Sequence, residues 1–466
     1  MFPKQVYQKR RNELMKKVEG GIIILPGHQE SSINFKHNYY HFRQDSNFLY
    51  YVGISKPELV LVIDVDNDEA CLFGNDLSID DIIWTGPMPT VSELATLSGI
   101  KHSRTLNDVG STVQSAIKSG RAIHYCPPYR EEHYANITHW TGWNRALIDQ
   151  KISIKLIRAI VTQRSYKEPE EVVEIERAVN ITGNMHLSAM QMVREGMRES
   201  EVTGKINGIA VAGGGHLSFP IILTKDGQTL HNHYHGNILK NGDMVLCDAG
   251  AETEMGYAGD MTRTFPVADQ FTTQQKEVYD CVYNAHMTAV EALKPGTRFI
   301  DVHLLACKKL VEGLNQIGLM KGDPEEAVNA GAHTMFFQCG LGHMMGLDVH
   351  DMENLGEQYV GYTDDFEKPT EFGLKSLRLG RALEEGFVLT VEPGIYIIPQ
   401  LIDLWQKDHK HANFIDYKTL SQFKSFGGIR VEEDFLITDN GARLLGDEVP
   451  KSSDAIESVR KTCLNF

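Results

Sequence analysis

Five residues in the second half of the chain have side chains of the kinds that bind divalent metal ions. They are Asp248, Asp260, His343, Glu392 and Glu432, in the contexts LCDAG, AGDMTRTF, GLGHMMGLDVHD, LTVEPGIY and GIRVEEDF. Two divalent ions would balance the charge of four carboxylates and could activate a water between them. Oxygen-rich ligation with one imidazole suits Mn, Co, Fe or Zn rather than a cysteine-rich structural zinc site. From the residue types alone, a metal centre and a set of unrelated surface acids are equally good explanations.

The elements that would position these acids are short apolar strands. Residues 244–247 run into Asp248, and residues 388–391 run into Glu392. Strand alternation over residues 429–433 would place Arg430 and Glu432 on one face. A carboxylate at the end of a buried strand is costly unless a cation neutralises it.

The length and pattern predict two domains, because 466 residues exceed one ordinary core. A charged, proline-containing boundary at residues 164–171 separates a mixed α/β domain, 1–165, from a second domain, 170–466. The predicted elements are strands at 21–25, 58–64 and 122–125, an amphipathic helix from about 170, helices at 274–293 and 300–317, and a long loop or short helices at 401–427.

The composition argues against several partners and compartments. A net charge of −16 disfavours nucleic acid, whose phosphates require a basic face. No apolar run approaches the roughly 20 residues that span a bilayer, so no membrane association is expected. The basic N-terminus precedes only GGIIILPG, which is too short for the core of a signal peptide. Seven dispersed cysteines without a CxxC pair favour a reducing compartment, and we expect the cytoplasm.

The five contexts, in this order, resemble the ligand motifs of the pita-bread metallopeptidases, specifically the aminopeptidase P and prolidase group. The segment YHFRQDSNFLYYVGISKPE also resembles that group's creatinase-like N-terminal domain. The resemblance implies an α/β (α+β) protein. Residues 1–165 would form the N-terminal α/β domain. Residues 170–466 would form the catalytic pita-bread domain, with helices over a curved, largely antiparallel sheet.

The resemblance also implies roles for the five residues. Asp248 would chelate one metal ion, Asp260 and Glu432 would bridge both, and His343 and Glu392 would hold the other. Each subunit would bind two divalent ions, manganese first, with cobalt, zinc or iron as alternatives. The implied activity is that of a Xaa-Pro aminopeptidase on peptides with proline at the second position. A metal-bridging hydroxide would attack the carbonyl before proline, and Glu392 would move its proton. Such enzymes form homo-oligomers, dimers or tetramers.

Further catalytic and substrate-binding residues are carried over from the same motifs. His350, in LDVHD, resembles a histidine that contacts substrate and the tetrahedral intermediate; the alternative is a core histidine bonded to Asp348 or Asp351. Arg430 resembles the arginine that orients the ligand carboxylates.

The HNHYH segment allows more than one interpretation. On a strand, His231, His233 and His235 would share a face and could form a separate metal site. The resemblance instead implies one substrate-binding histidine, either His231 or His233, and the preference is for His231.

Three residues bear on the substrate. Arg378, in KSLRLGR, resembles the arginine with which prolidases bind the free carboxylate of a dipeptide. Arginine suits this role because it can donate two hydrogen bonds to a carboxylate. The alternative is that KSLRLGR is a generic basic turn. Cys339 stands where the family usually has histidine, and a thiol lacks the donors of imidazolium. Phe219 is expected to line a proline pocket.

The candidate functions therefore belong to two classes. The first is a metallo-exopeptidase, either a Xaa-Pro aminopeptidase or a prolidase restricted to dipeptides; creatinase is disfavoured because it dispenses with metal. The second is a non-catalytic peptide-binding protein on the same fold, which the retention of all five ligands disfavours.

Overall fold

The protein, analysed as a computed structural model that describes residues 1–464, divides into two compact units. The first comprises Met1–Arg164 and the short segment Met352–Tyr359. The second comprises Ser165–Asp351 and Val360–Phe466. The division along the chain lies at the charged segment where the sequence predicted a boundary. No feature of the sequence indicated that residues 352–359 group with the first unit.

The first unit is an α/β unit built on a mixed five-stranded sheet in the order β4-β3-β2-β1-β5. Its elements are α1 (Lys4–Val18), β1 (Ile22–Pro26), α2 (Ser46–Val52), β2 (Val60–Asp64), β3 (Glu69–Phe73), α3 (Ile79–Thr85), α4 (Val91–Leu97), β4 (His102–Arg104), α5 (Asp108–Lys118), β5 (Ile123–His124), α6 (Glu131–Thr141), α7 (Arg145–Gln150) and α8 (Ile154–Ser165). β1 pairs antiparallel with β2 and parallel with β5. The three predicted strands are thereby confirmed.

The second unit consists of helices and four small antiparallel sheets. Its first half contains α9 (Pro169–Met192), α10 (Glu199–Ala212), β6 (His216–Leu217), β7 (Ile222–Thr224), β8 (Met244–Ala249), β9 (Ala251–Glu252), β10 (Met261–Pro266), α11 (Thr273–Glu291), α12 (Phe299–Gln316) and α13 (Pro324–Asn329). The helix α14 (Glu357–Gly361) begins in the segment that groups with the first unit and ends in the second. The second half of the second unit then contains β11 (Val388–Val391), β12 (Gly394–Tyr396), α15 (Pro399–Lys407), α16 (Tyr417–Leu420), β13 (Gly428–Arg430), β14 (Glu433–Ile437), β15 (Ala442–Leu444) and α17 (Ser453–Leu464). The predicted antiparallel character is confirmed, and α15 and α16 give residues 401–427 short helices.

Local sequence explains the helix that opens this unit. Pro169 occupies the first turn of α9, where its missing N–H costs nothing. Glu168 and Glu171 form a reciprocal capping box there. The helix packs against β8, β9 and β10, and every residue of β8 and β10 is buried. Burial explains why residues 244–247 form a continuous apolar run before Asp248.

No helix within residues 1–464 combines the length and the apolar character that crossing a bilayer requires.

Candidate metal centre and substrate cavity

The five predicted metal ligands line one cavity of about 290 Å³ in the second unit. Nε2 of His343 lies 3.4 Å from Oδ2 of Asp260 and 3.6 Å from Oε1 of Glu392. Asp260, His343 and Glu432 each offer a ligand atom within 4.8 Å of the other two. Tertiary structure thus brings together residues that lie far apart in the sequence.

Strand register places three of the carboxylates side by side. Asp248 in β8 pairs with Thr262 in β10, and Thr262 bridges in turn to Glu432. The Thr262 hydroxyl donates to Oε2 of Glu432 at 2.6 Å. Asp260 immediately precedes β10, so its carboxylate enters the same space. Three acids on adjacent antiparallel segments can therefore share a small buried volume.

His343 and Glu392 are positioned by a close approach between the segment 341–344 and β11. The Glu392 N–H donates to the carbonyl of Leu341 at 2.7 Å, and the Thr390 N–H to that of His343 at 3.0 Å. Gly342 makes this approach possible, because a Cβ there would lie 2.1 Å from the carbonyl oxygen of Thr390. The contact of His343 Nδ1 with the Met344 carbonyl, at 3.0 Å, places a proton on Nδ1, so that Nε2, which faces the acids, carries a lone pair that can bind a metal ion.

Arg430 joins Asp248, one of the predicted metal ligands, to a buried hydrogen-bond network. Its guanidinium donates to Oδ2 of Asp248, to the Tyr396 hydroxyl at 2.7 Å and to the Thr262 hydroxyl at 3.0 Å. The residue is buried at the end of β13. A planar group with donors in three directions holds these partners in fixed positions, which a lysine could not do.

The carboxylates are buried with too little positive charge around them. Burial, followed by repulsion from Asp248, raises the pKa of Asp260 from 3.8 to about 8. Burial raises the pKa of Glu392 to about 7, against the opposing effect of His343. Burial and the charges of Asp260 and Glu392 raise the pKa of Glu432 well above its usual range. Acids are stable in such a space only when protonated or when cations are present.

The donor set fits divalent cations. Oδ1 of Asp260 is buried and has no hydrogen-bond partner among the described residues. The cavity is lined by four carboxylates and by His343, whose Nε2 faces it. Among its lining residues, only Arg430 and Arg378 carry a permanent positive charge. Hard oxygen donors with one imidazole suit Mn, Co, Fe or Zn. Bound cations would satisfy the buried oxygen and lower the pKa of each acid.

The residues that support these predicted ligands were not predicted from the sequence. Asp434, fully buried, accepts a hydrogen bond from the Asp260 N–H at 3.0 Å, and the Thr390 hydroxyl accepts one from the His343 N–H at 3.2 Å. Tyr396 and Thr262 bind Arg430 as described. A signal existed for Asp434, because it follows Glu432 by two positions in VEED. The others carry no signal in a single sequence, since threonine and tyrosine are ordinary strand residues.

His350, His231 and His233 all line the cavity. The His350 ring lies 4.2 Å from that of His343, centroid to centroid, in an edge-on arrangement. Asp351, one of its alternative partners, forms a buried ion pair with Lys167 at 2.9 Å.

The HNHYH segment does not form a strand, so the alternative interpretation, with three histidines on one strand face, does not apply. His235 bonds to the carbonyl of Ile221 at 3.1 Å and does not line the cavity, which removes the separate three-histidine metal site. Asparagine and glycine around these residues favour an irregular loop over a ladder.

Arg378, Cys339 and Phe219 also line the cavity. Sγ of Cys339 lies 3.9 Å from the Tyr396 hydroxyl. Burial, followed by the charge of Glu392, raises the pKa of this thiol to about 12, so it stays protonated at neutral pH. A neutral thiol is a poor nucleophile.

Residues 173–439 match metallopeptidase family M24, and residues 7–124 match the aminopeptidase P N-terminal domain. The chain is 31% identical to the human Xaa-Pro dipeptidase over 458 residues, covering 95% of this chain and 89% of the relative. It is 29% identical to the Xaa-Pro aminopeptidase of Escherichia coli over 469 residues, covering 98% and 97%. Its fold matches the structure of aminopeptidase PepP of Pseudomonas aeruginosa with a TM-score of 0.82, at 26% identity and full coverage of both chains.

Proposed function

Because the chain belongs to metallopeptidase family M24, in the aminopeptidase P and prolidase group, we propose that it is a Xaa-Pro aminopeptidase. It would release the N-terminal residue from peptides with proline at the second position. The observation that carries this proposal is the convergence of Asp248, Asp260, His343, Glu392 and Glu432 on a single cavity that also holds histidines for substrate.

We propose that those five residues hold two divalent ions, manganese first. When bound, the ions would lower the pKa of a water and polarise the scissile carbonyl. Asp248, Asp260 and Glu432 are buried, with exposures of 8%, 4% and 2%, which suits them to hold cations. Glu392 differs, because 20% of its side chain is exposed. An acid at the cavity surface can take a proton from water and deliver it to the departing proline nitrogen. We therefore assign this proton transfer to the Glu392 carboxylate.

We assign to His350 and His231 the binding and polarisation of the substrate carbonyl. Both line the cavity next to the ligand set, and an imidazole N–H can donate to an oxygen that gains negative charge. Burial lowers the pKa of His231, so the neutral ring is favoured. His233 lines the same cavity and is a second substrate contact. Arg430 acts through its partners by orienting Asp248, and it is a positioning residue.

Prolidase activity is the second candidate, and a specific observation favours it. Arg378 lines the cavity and can bind a free carboxylate with two hydrogen bonds. In a dipeptide that carboxylate belongs to proline itself. The human relative, named Xaa-Pro dipeptidase, is similar over nearly the whole chain. Aminopeptidase and dipeptidase thus share one cavity and differ in how far beyond proline the substrate extends.

Substrate length separates the two candidates. The full-length protein, loaded in turn with Mn²⁺, Co²⁺ or Zn²⁺, is given matched Xaa-Pro dipeptides and Xaa-Pro-Xaa tripeptides, and products are separated chromatographically. The proposal expects cleavage of the tripeptide before proline. Cleavage of the dipeptide alone would establish prolidase instead. No cleavage of either with any metal would favour the non-catalytic binding protein.

Two variants serve as controls. Asp260→Ala removes a central ligand and should abolish activity, whereas Glu291→Ala, at the exposed end of α11, should not. Equal loss in both variants would indicate damage to the fold rather than to the centre.

We further propose a cytoplasmic homo-oligomer of two or four subunits. Its seven cysteines, all within the described residues, are free, as expected in a reducing compartment. Cell fractionation and light scattering test the two statements separately.

A further inference from the structure

A second group of metal-binding side chains lies apart from the cavity. His303 and Cys307 belong to α12, and His333 belongs to the 3-10 helix Ala332–Met335. One potential ligand atom from each lies within 4.8 Å of those from the other two. None of the three lines the substrate cavity. The group therefore needs an explanation of its own.

The spacing of the three side chains suits a tetrahedral metal site. His303 and Cys307 are four residues apart on one helix, so their side chains lie on the same face. Nε2 of His303 lies 3.5 Å from Sγ of Cys307. A tetrahedral zinc ion, with bonds of about 2.3 Å to sulfur and about 2.05 Å to nitrogen, would separate the two donors by about 3.6 Å. The observed distance is close to that expected for two ligands of one ion.

The polar atoms of this group are incompletely satisfied. His303 is 1% exposed, Cys307 0% and His333 5%. Nδ1 of His333 has no hydrogen-bond partner among residues 1–464 and can ligate an ion. Nδ1 of His303 also has none, but the nitrogen of that ring that faces Sγ of Cys307 is Nε2. Buried ring nitrogens nearly always have a partner, and an unsatisfied one calls for an ion or a water.

The protonation of the imidazoles also suits metal binding. Burial lowers the pKa of His303 to about 3 and that of His333 to about 4. Both rings are therefore neutral at physiological pH, which is the form that ligates metals. No carboxylate belongs to the group, so its donors are softer than those of the catalytic cavity.

We propose that His303, Cys307 and His333 bind a divalent transition-metal ion, zinc first, at a site distinct from the catalytic cavity. Imidazole and thiolate are donors that zinc prefers. On binding, the Cys307 thiol releases its proton to solvent and the sulfur donates its electron pair to the ion. The ion would fasten α12 to the segment that leads, through residues 336–342, to His343. The site is structural, because its ligands do not face the substrate.

Cobalt distinguishes this site from the catalytic one. A Co²⁺ ion bound to a thiolate shows intense charge-transfer absorption in the near ultraviolet, which oxygen and nitrogen ligands do not produce. We expect this band in the full-length protein and equally in Asp260→Ala. Cys307→Ser should abolish it, and His333→Ala should weaken Co²⁺ binding at least ~10-fold. Cys281→Ser, which changes another buried thiol on the neighbouring helix α11, should leave the band unchanged.

Several outcomes would overturn the proposal. The 3.5 Å contact can also be an S–H···N hydrogen bond without metal, and the wild-type protein would then show no thiolate band. A band that survives in Cys307→Ser would come from another thiol and would refute the site at Cys307. If Cys307→Ser fails to fold, zinc titration decides: in Asp260→Ala the midpoint of thermal unfolding should rise, and in Asp260→Ala/His333→Ala that rise should disappear.

Discussion

Replacement of Arg430 by lysine tests whether the geometry of the arginine, rather than its charge, organises the metal ligands. The guanidinium donates to Asp248, Tyr396 and Thr262 at once. A lysine retains the positive charge beside Asp248, but its single ammonium reaches only one of these partners well. Two buried hydrogen bonds are lost, at ~0.5–1.5 kcal/mol each, so the free energy of unfolding should fall by about 1–3 kcal/mol.

The larger effect should be on metal binding. Residues that orient metal ligands typically contribute about 10- to 100-fold to metal affinity. Arg430→Lys should therefore weaken Mn²⁺ binding by that factor, measured by calorimetric titration of metal-free protein. Activity at saturating Mn²⁺ should recover in part, because the five ligands remain.

Arg443→Lys provides the matched control, since Arg443 forms an exposed ion pair with Glu176. It should change the unfolding midpoint and the Mn²⁺ affinity very little. An Mn²⁺ dissociation constant in Arg430→Lys within twofold of the wild type would refute the positioning role. So would equal effects in the two lysine variants.

Three further perturbations follow from the same site. In metal-free protein the pKa of Asp260 is raised from 3.8 to about 8, so the folded state holds a proton that the unfolded state loses. The unfolding temperature measured in chelator should therefore fall as pH rises from about 4 to 8, and this dependence on pH should weaken when Mn²⁺ is added. An unfolding temperature that rises with pH in the metal-free protein would contradict this. Gly342→Ala should lower both stability and activity, because its Cβ would meet the Thr390 carbonyl at 2.1 Å. Gly208 lies in α10 with open space around the position of a Cβ, so Gly208→Ala should instead stabilise the folded protein by ~0.5–1 kcal/mol. Calorimetry and peptidase assays that show equal effects of the two alanine substitutions would refute the packing argument. Arg378→Ala should raise KM for Xaa-Pro dipeptides at least ~10-fold while sparing C-terminally amidated tripeptides, and equal losses on both substrates would rule out a carboxylate grip.

Local sequence predicted those features that depend on neighbouring residues. The start of α9 follows from Pro169 and the acids beside it. The strands β1, β2 and β5 follow from short apolar runs, and α11 and α12 lie within two residues of their predicted bounds. In HNHYH the alternation of histidines allowed a strand only as an alternative interpretation, and the segment is a loop, as its asparagine and glycine neighbours favour.

The sequence by itself determined the kind of ligands and, through five ordered motifs, the resemblance to one family. It could not determine that Asp248, Thr262 and Glu432 are neighbours, because antiparallel register between distant segments depends on packing of the whole unit. It gave no reason to connect His303 and Cys307 with His333, which belongs to a different helical segment. Only tertiary structure decided which polar residues are buried together, and burial makes their charge and unsatisfied atoms chemically significant.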